Sequence, residues 1–157
     1  MKERPKLRTY ITLKHKLERE KYLELRDRYG APELTKLRGG LRIESGRYQK
    51  IPRELRLCEV CTRGEVEDES HFMLDCSLYD DLREEMWSTL ERWMGFKRED
   101  LSKEKQLNAL IGDEFAENEF YDGILKTAMQ YIKQAMKRRQ SRQDVMSRSM
   151  DASTLVR

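Results

Sequence analysis

Apolar residues recur every three or four positions over most of this chain, and this spacing predicts helices. The pattern is clearest in the second half, where three apolar stripes each run up to a helix-ending signal. The stripes are Leu78, Leu82, Met86, Leu90 and Trp93 before Gly95; Leu107, Leu110 and Ile111 before Gly112; and Tyr121, Ile124, Leu125, Ala128, Ile132, Ala135 and Met136 before Lys137-Arg138-Arg139. They predict three amphipathic helices that share one core.

The first half of the chain carries weaker helical patterns. Pro5 is a suitable first residue of a helix, and apolar residues follow it at helical spacing. A short element is predicted at residues 22–25, followed by a helix that carries Leu34 and Leu37. The glycine-containing stretch from Gly39 to Pro52 predicts a loop. The fold class predicted for the chain is therefore all-α, a small helical domain with an embedded metal site.

The length of 157 residues fits a single core with tails. We expect a basic N-terminal helical arm over residues 1–30 and a helical domain over residues 31–139. Residues 140–157 are rich in Ser, Arg and Gln, which predicts a disordered tail. No apolar stretch approaches the roughly 20 residues of a membrane span, and the charged N-terminus lacks the apolar region of a signal peptide. We therefore expect an intracellular protein, nuclear or cytoplasmic.

The net charge of +3 conceals a strong segregation of charge along the chain. Residues 1–57 carry 17 Lys or Arg against 8 Asp or Glu, residues 58–122 carry 7 against 19, and residues 123–157 carry 8 against 2. The basic ends can bind nucleic acid, because neutralisation of phosphates by Lys and Arg drives non-specific binding. Alternatively, the basic arm lies across the acidic middle of the same protein. Charge alone leaves both interpretations open.

All three cysteines and one of the two histidines fall in a window of 19 residues, Cys58-x2-Cys61-x9-His71-x4-Cys76. Three thiolates and an imidazole form the donor set that Zn²⁺ prefers, and four protein ligands leave no position for a reactive water. The spacing predicts a structural zinc knuckle over residues 58–76, which would also stabilise a modest core. The alternative is three thiols without a metal in a reducing compartment.

The residues around the four ligands agree with a knuckle. Gly64 allows a tight turn after Cys61, and a Cys-x2-Cys turn can direct backbone N–H groups at the sulfurs. Asp68 or Ser70 is the expected N-cap of a helix. His71 would lie in the first turn of that helix, and Cys76 near its far end.

These residues resemble the zinc-binding region downstream of the polymerase in reverse transcriptases of LINE-type (non-LTR) retrotransposons. The residues that match the family pattern are Cys58, Cys61, Glu67-Asp68 ahead of His71, His71 itself, Cys76, Tyr79 and Arg83. Residues 34–40, Leu-Thr-Lys-Leu-Arg-Gly-Gly, are similar to a basic and apolar stretch upstream, whereas Leu41, Glu59 and Ser77 depart from the pattern. The resemblance covers residues 34–87. It implies a nucleic-acid-binding accessory module of retrotransposon type.

The basic segment before Cys58 is the candidate nucleic-acid interface. Its cations and one aromatic residue are Lys36, Arg38, Arg42, Arg47, Tyr48, Lys50, Arg53 and Arg56. A rigid knuckle can hold such a segment in one orientation for a phosphate backbone, and Tyr48 can stack on a base. No groove-entering motif is evident, so we expect RNA or single-stranded DNA to be bound without sequence specificity. The alternative is that these residues only solvate a loop.

A zinc-stabilised protein-interaction module is the second functional hypothesis. The zinc would then only fix the helices, and the acidic face or the long C-terminal helix would dock a protein partner. An exposed apolar stripe on residues 121–136 would favour this hypothesis, whereas a basic patch next to the knuckle would favour nucleic acid.

Neither hypothesis makes the protein an enzyme, and no membrane partner is expected. Tyr79-Asp80-Asp81 is similar to part of a polymerase metal motif, but that role needs a strand–turn–strand hairpin and a third carboxylate. Here the tripeptide lies where a helix begins. We therefore assign Asp80 and Asp81 to the helix start, where acidic residues stabilise the helix dipole.

Overall fold

The computed structural model describes residues 8–14, 16, 18–25, 27–40, 43 and 50–154. The α-helices of this part of the chain are α1 Arg8–Leu13, α2 Gly30–Arg38, α3 Asp80–Met94, α4 Lys103–Ile111 and α5 Tyr121–Thr154. Single 3₁₀ turns lie at Lys21–Leu23, Arg53–Leu55, Ser77–Tyr79 and Arg98–Asp100. Leu57 and Val66 form an isolated antiparallel bridge, and no strand occurs among the described residues. The all-α prediction is confirmed.

The domain is built around α5. Helices α2, α3 and α4 all pack against it. Six of the seven residues that the sequence assigned to its apolar stripe are buried, and Met136 is partly buried against the same core. The six are Tyr121, Ile124, Leu125, Ala128, Ile132 and Ala135. Burial of aliphatic and aromatic side chains is the main favourable term in folding, so this stripe is the centre of the core. It is not an exposed docking face.

The ends of α3 and α4 follow the signals in the sequence. Gly95 adopts a φ of +71°, a left-handed conformation that favours glycine, and its N–H donates to the carbonyl of Glu91 at 3.0 Å. Ser102 caps α4 because its hydroxyl oxygen accepts from the backbone N–H of Lys105 at 3.3 Å. Gly112 ends this helix as predicted.

The two tryptophans of α3 differ from the predicted pattern. Trp87 is 2% exposed, whereas Trp93, which the stripe assigned to the core, is 40% exposed and lies over Gly123. The buried face of α3 is formed by Arg83, Met86, Trp87 and Leu90 and is therefore centred to one side of the predicted stripe. Trp93 in the last turn is therefore at the margin of this face, since a helix turns by 3.6 residues.

The described part of the predicted N-terminal arm belongs to the domain. Leu13 and Tyr22 are buried in the same cluster as the apolar face of α5. The Tyr10 hydroxyl donates to Glu20 at 2.9 Å, and Lys14 pairs with the same carboxylate at 3.1 Å. The described residues of the expected arm therefore pack into the same core as the helical domain.

The predicted disordered tail is helical as far as Thr154, the end of α5. The low apolar content agrees with the exposure of residues 140–150, which are all exposed except the partly buried Gln143. Residues 124–154 contain no Gly or Pro, so the already formed helix continues without the cost of a new nucleus. Among the described residues, no helix combines the length and hydrophobicity that crossing a membrane requires.

Candidate metal centre

Cys58 and Cys61 lie in a short hairpin. Its two arms are joined by the antiparallel bridge between Leu57 and Val66. Gly64 adopts a φ of +66° at the turn, a conformation that costs glycine little and other residues more. The hairpin therefore places both sulfurs on a turn whose backbone is fixed by pairing on either side.

His71 and Cys76 lie at the two ends of a wide helical turn, His71–Asp75. The Cys76 N–H donates to the His71 carbonyl at 2.7 Å, an i→i+5 bond of the π type. Asp68 is the N-cap, as its carboxylate accepts from the His71 N–H at 2.9 Å. The sequence predicted an ordinary helix here. In an α-helix, residues five apart point to different sides, whereas the wider turn brings His71 and Cys76 to the same side.

The hairpin and the wide turn bring the four predicted ligands together. One ligand atom from each of Cys58, Cys61, His71 and Cys76 lies within 4.8 Å of all the others. The Cys61 sulfur and His71 Nε2 are 3.4 Å apart, close to the roughly 3.6 Å that separates a sulfur and a nitrogen donor on a tetrahedral zinc ion. Cys61 is half-buried and the other three ligands are buried. The cluster can hold a metal ion.

Backbone N–H groups support the sulfurs. The N–H groups of Val60 and Cys61 donate to the Cys58 sulfur, and the N–H of Leu78 donates to the Cys76 sulfur. Such donors stabilise the thiolate form, which is the form that binds a metal. The backbone arrangement expected for a Cys-x2-Cys turn is therefore present.

Without a metal, the cluster holds protons that a metal ion would displace. A hydrogen bond between Cys58 and Cys76, together with burial, raises the pKa of Cys58 to about 12. The same hydrogen bond lowers the pKa of Cys76. Burial lowers the pKa of His71, but hydrogen bonds to Cys58 and Cys61 outweigh this effect and raise it to about 9.

Glu65 orients the imidazole. Its Oε2 atom lies 2.9 Å from His71 Nδ1. An ionised carboxylate only accepts hydrogen bonds, so Nδ1 keeps a proton toward Glu65. Nε2 faces the sulfurs, and it offers its lone pair to a metal ion once its own proton has been displaced. Sequence reasoning did not identify Glu65. The only signal in the sequence is a carboxylate six residues before the ligand histidine.

Arg83 attaches the wide turn to α3. Its side chain is buried, Nε donates to the Met73 carbonyl at 3.1 Å, and Nη2 donates to the Cys76 carbonyl at 2.7 Å. Tyr79 is fully buried, with its ring centroid 5.1 Å from that of Phe72 in an edge-to-face contact. Arg83 and Tyr79 are two residues that the family resemblance singled out, and both support the turn that carries His71 and Cys76.

Two contacts attach the turns that carry the candidate ligands to α5. The Tyr131 hydroxyl donates to the Phe72 carbonyl at 2.8 Å in the core. Arg139 forms a buried ion pair with Glu67, between the hairpin and the wide turn. Separating a buried ion pair would leave two uncompensated charges in the core, which is costly. The pair therefore fixes the position of the two turns relative to α5.

Asp80 and Asp81 lie in the first turn of α3, as the helix-start interpretation predicted. Asp80 pairs with Arg83 at 2.5 Å. Both carboxylate oxygens of Asp81 accept from Arg138 of α5, and this hydrogen bonding lowers the pKa of Asp81 to about 2. Both aspartates therefore have structural partners.

The described residues of the basic segment are not equivalent. Arg38 is 1% exposed, pairs with Glu20 at 2.7 Å and lies over the rings of Tyr10 and Tyr22. The prediction that Arg38 contacts phosphates is therefore wrong. A guanidinium that is buried and paired in the core cannot reach a nucleic acid at the surface.

The other cations of this segment lie nearer the surface. Lys36 pairs with Glu33 at 2.9 Å, and the Arg56 guanidinium donates to the Ile51 carbonyl at 2.8 Å. Lys50 is exposed. Arg53 pairs with Asp68 at 2.5 Å, yet its side chain is 47% exposed. The remaining predicted contacts, Arg42, Arg47 and Tyr48, lie outside the described residues.

Comparisons with known proteins provide no independent evidence about the candidate metal centre. No family model, curated protein or solved structure matches the chain. The resemblance to the retrotransposon region therefore stays a prediction that rests on the residues from Cys58 to Arg83 and the upstream stretch.

Metal affinity should fall as the pH is lowered. At neutral pH, His71 and Cys58 hold protons in the metal-free cluster because their pKa values are about 9 and about 12. A metal ion must displace these protons, so we expect the apparent affinity for Zn²⁺ to rise about ten- to a hundredfold per pH unit between about pH 6 and 8. Competition with a chelator of known pH dependence measures this. A constant affinity over that range would contradict the proton-holding cluster.

Glu65→Ala should weaken metal binding about ten- to a hundredfold, because His71 loses the partner that fixes its tautomer and ring orientation. The control is Glu59→Ala, which removes an exposed carboxylate from the same hairpin. Competition titrations with Zn²⁺ compare the two variants with wild type. Equal losses in both would mean that Glu65 acts only through its charge.

Proposed function

We propose that Cys58, Cys61, His71 and Cys76 hold one structural Zn²⁺ ion. The observation that supports this is the approach of three sulfurs and one ring nitrogen to within 4.8 Å. Mg²⁺ and Ca²⁺ require oxygen ligands, whereas Zn²⁺ favours this thiolate and imidazole set. Four protein ligands complete the tetrahedron, so the ion would fix the two turns rather than activate water.

We further propose that the protein is a zinc-dependent, nucleic-acid-binding accessory module for RNA or single-stranded DNA, with no catalysis of its own. The supporting observation is the link between the basic segment and the metal centre. Asp68 caps the turn that carries His71 and also pairs with Arg53. A metal ion that rigidifies this turn also orients Arg53 and the exposed Lys50 just before Cys58. Oriented cations lose less entropy when they bind phosphates.

A protein-interaction module is the second candidate. The observation that favours it is at the far end of α5, where Val145 is 59% exposed and Met150 is 71% exposed. Exposed apolar side chains on a helix are suited to a groove on a partner protein. Residues 121–136, where the sequence analysis looked for such a surface, instead have their apolar side chains in the core. This candidate predicts no dependence of binding on the cations near the knuckle.

Protein purified without a chelator should contain close to one zinc per chain. Combining Cys61→Ser and Cys76→Ser should abolish zinc binding, because two of the four donors are lost. His71→Ala should also lose the metal, whereas His15→Ala, which changes the other histidine, should retain it. Elemental analysis gives the stoichiometry. Full zinc content in the double cysteine variant would refute this assignment of ligands.

Binding to a single-stranded oligonucleotide should be sequence-tolerant and should weaken steeply with salt, with a log–log slope of roughly −0.7 per phosphate contact. Replacing Arg47, Lys50 and Arg53 by Ala should flatten this slope by about two, because three contacts are removed. The matched control replaces the exposed Lys16, Lys97 and Lys105 by Ala. Titrations of zinc-loaded protein at two salt concentrations measure the slopes. Absence of binding by wild type at low salt would overturn the nucleic-acid function.

A further inference from the structure

Helix α5 contains a long stretch without acidic residues. Residues 123–143 include no Asp or Glu, and their cations are Lys126, Lys133, Lys137, Arg138, Arg139 and Arg142. Arg138 and Arg139 are used inside the protein, where they pair with Asp81 and Glu67. The positive charge that remains is not offset by acidic residues of the same stretch, in contrast to the acidic middle of the chain.

Three of these cations share one exposed face. Lys133 follows Lys126 by seven residues and Lys137 follows Lys133 by four, which in an α-helix places all three on one side, with successive spacings of about 10 Å and 6 Å along the axis. All three are exposed, and their side chains form no ion pair with another described residue. This lysine face lies opposite the buried side of α5, which includes Ala128 and Ala135.

An exposed aromatic ring lies beside the lysine face. Tyr29 precedes α2 and is 72% exposed, and the Lys133 ammonium lies 5.2 Å from its ring centroid. Gly30 approaches Met129 so closely that an added Cβ would lie 2.8 Å from the Met129 Cβ, and this contact holds the start of α2 against α5. Asp27 stands nearby, but its carboxylate accepts from the backbone N–H groups of Tyr29 and Gly30.

We propose that the lysine face, together with Tyr29, is the main surface on which the protein binds single-stranded nucleic acid. The three lysines would neutralise successive phosphates, and the free side of the Tyr29 ring would stack on a base. Every base has an aromatic face, so this contact is tolerant of sequence. This inference rests on the proposed nucleic-acid function and moves its main contact from the basic segment to α5.

The composition of the surface favours nucleic acid over an anionic membrane. A helix that lies on a membrane inserts large apolar side chains beside its cations. On α5, the large apolar residues from Tyr121 to Ile132 belong to the buried cluster instead. The aromatic ring that accompanies the lysines comes from the residue just before α2, not from α5, and it is exposed beside them. A strand of nucleic acid presents phosphates and bases together and is therefore complementary to both groups.

The test is a titration of zinc-loaded, full-length protein against labelled 20-nucleotide poly(U) RNA and poly(dT) DNA at two salt concentrations. The helix variant combines Lys126→Ala, Lys133→Ala and Lys137→Ala, substitutions that preserve helix propensity. We expect it to bind at least about tenfold more weakly, with a salt slope flattened by about two. The control with Lys16, Lys97 and Lys105 replaced by Ala should bind like wild type. Circular dichroism verifies the fold of each variant.

Tyr29 is tested by a pair of substitutions. Tyr29→Ala should weaken binding by about tenfold without changing the salt slope, because stacking is lost while the charges remain. Tyr29→Phe keeps the ring and should bind like wild type. Equal weakening by both substitutions would overturn the stacking role.

The remaining outcomes separate this inference from the proposed function. If wild type binds and the helix variant binds equally well at both salts, the lysine face is not the interface, while the nucleic-acid function stands. If wild type does not bind either oligonucleotide at low salt, both proposals are overturned. If the helix variant loses binding to phosphatidylserine vesicles but keeps oligonucleotide binding, the lysine face serves a membrane surface and the inference is wrong.

Discussion

The arrangement of the candidate ligands depends on how two short turns, the hairpin and the wide turn, are attached to the long helix α5 at the centre of the core. The hairpin with Cys58 and the wide turn with His71 are too short to form a core of their own, so Val60, Phe72 and Met73 pack into the core that they share with α5. Buried arginines compensate for this. Arg83 satisfies two carbonyls of the wide turn, and Arg139 pairs with Glu67 between the two turns. The four ligand atoms can converge because these contacts fix both turns against α3 and α5.

Several cations of the chain form buried ion pairs, so the number of Lys and Arg residues overstates the positive charge at the surface. Arg38, Arg83 and Arg139 are buried and have carboxylate partners. A buried guanidinium requires such partners, because desolvation of an unpaired charge costs several kcal/mol. Arg38, which the sequence places in the basic segment, is therefore not available at the surface. Exposed positive charge without an ion pair among the described residues lies on the outer side of α5, within the basic C-terminal segment that the residue count indicates.

The sequence was sufficient wherever a local rule decides the outcome. Helical spacing predicted the buried face of α5, Gly95 and Gly112 marked two helix ends, and cysteine spacing identified the four clustered ligands. The predictions failed where distant residues decide. Arg38 is buried because Glu20, Tyr10 and Tyr22 surround it. The role of Glu65 could not be predicted, because only the fold of the hairpin brings its carboxylate next to His71. The helix beyond residue 140 escaped prediction because low apolar content indicates exposure, and exposure does not by itself exclude a helix.

The continuity of α5 has a mechanical consequence. Arg139 is the last buried residue of α5 up to residue 150, where the description of side-chain burial ends, and the helix continues for 15 residues beyond it to Thr154, a length of about 22 Å. Helices of this kind bend only gently unless Pro, Gly or a bulge interrupts them. The projecting part is thus a rod whose base is clamped by Arg138 and Arg139. Arg138 and Arg139 connect the base of this rod to the residues around the candidate metal ligands. A small rotation of α5 at this point would therefore displace the tip of the helix by several ångströms.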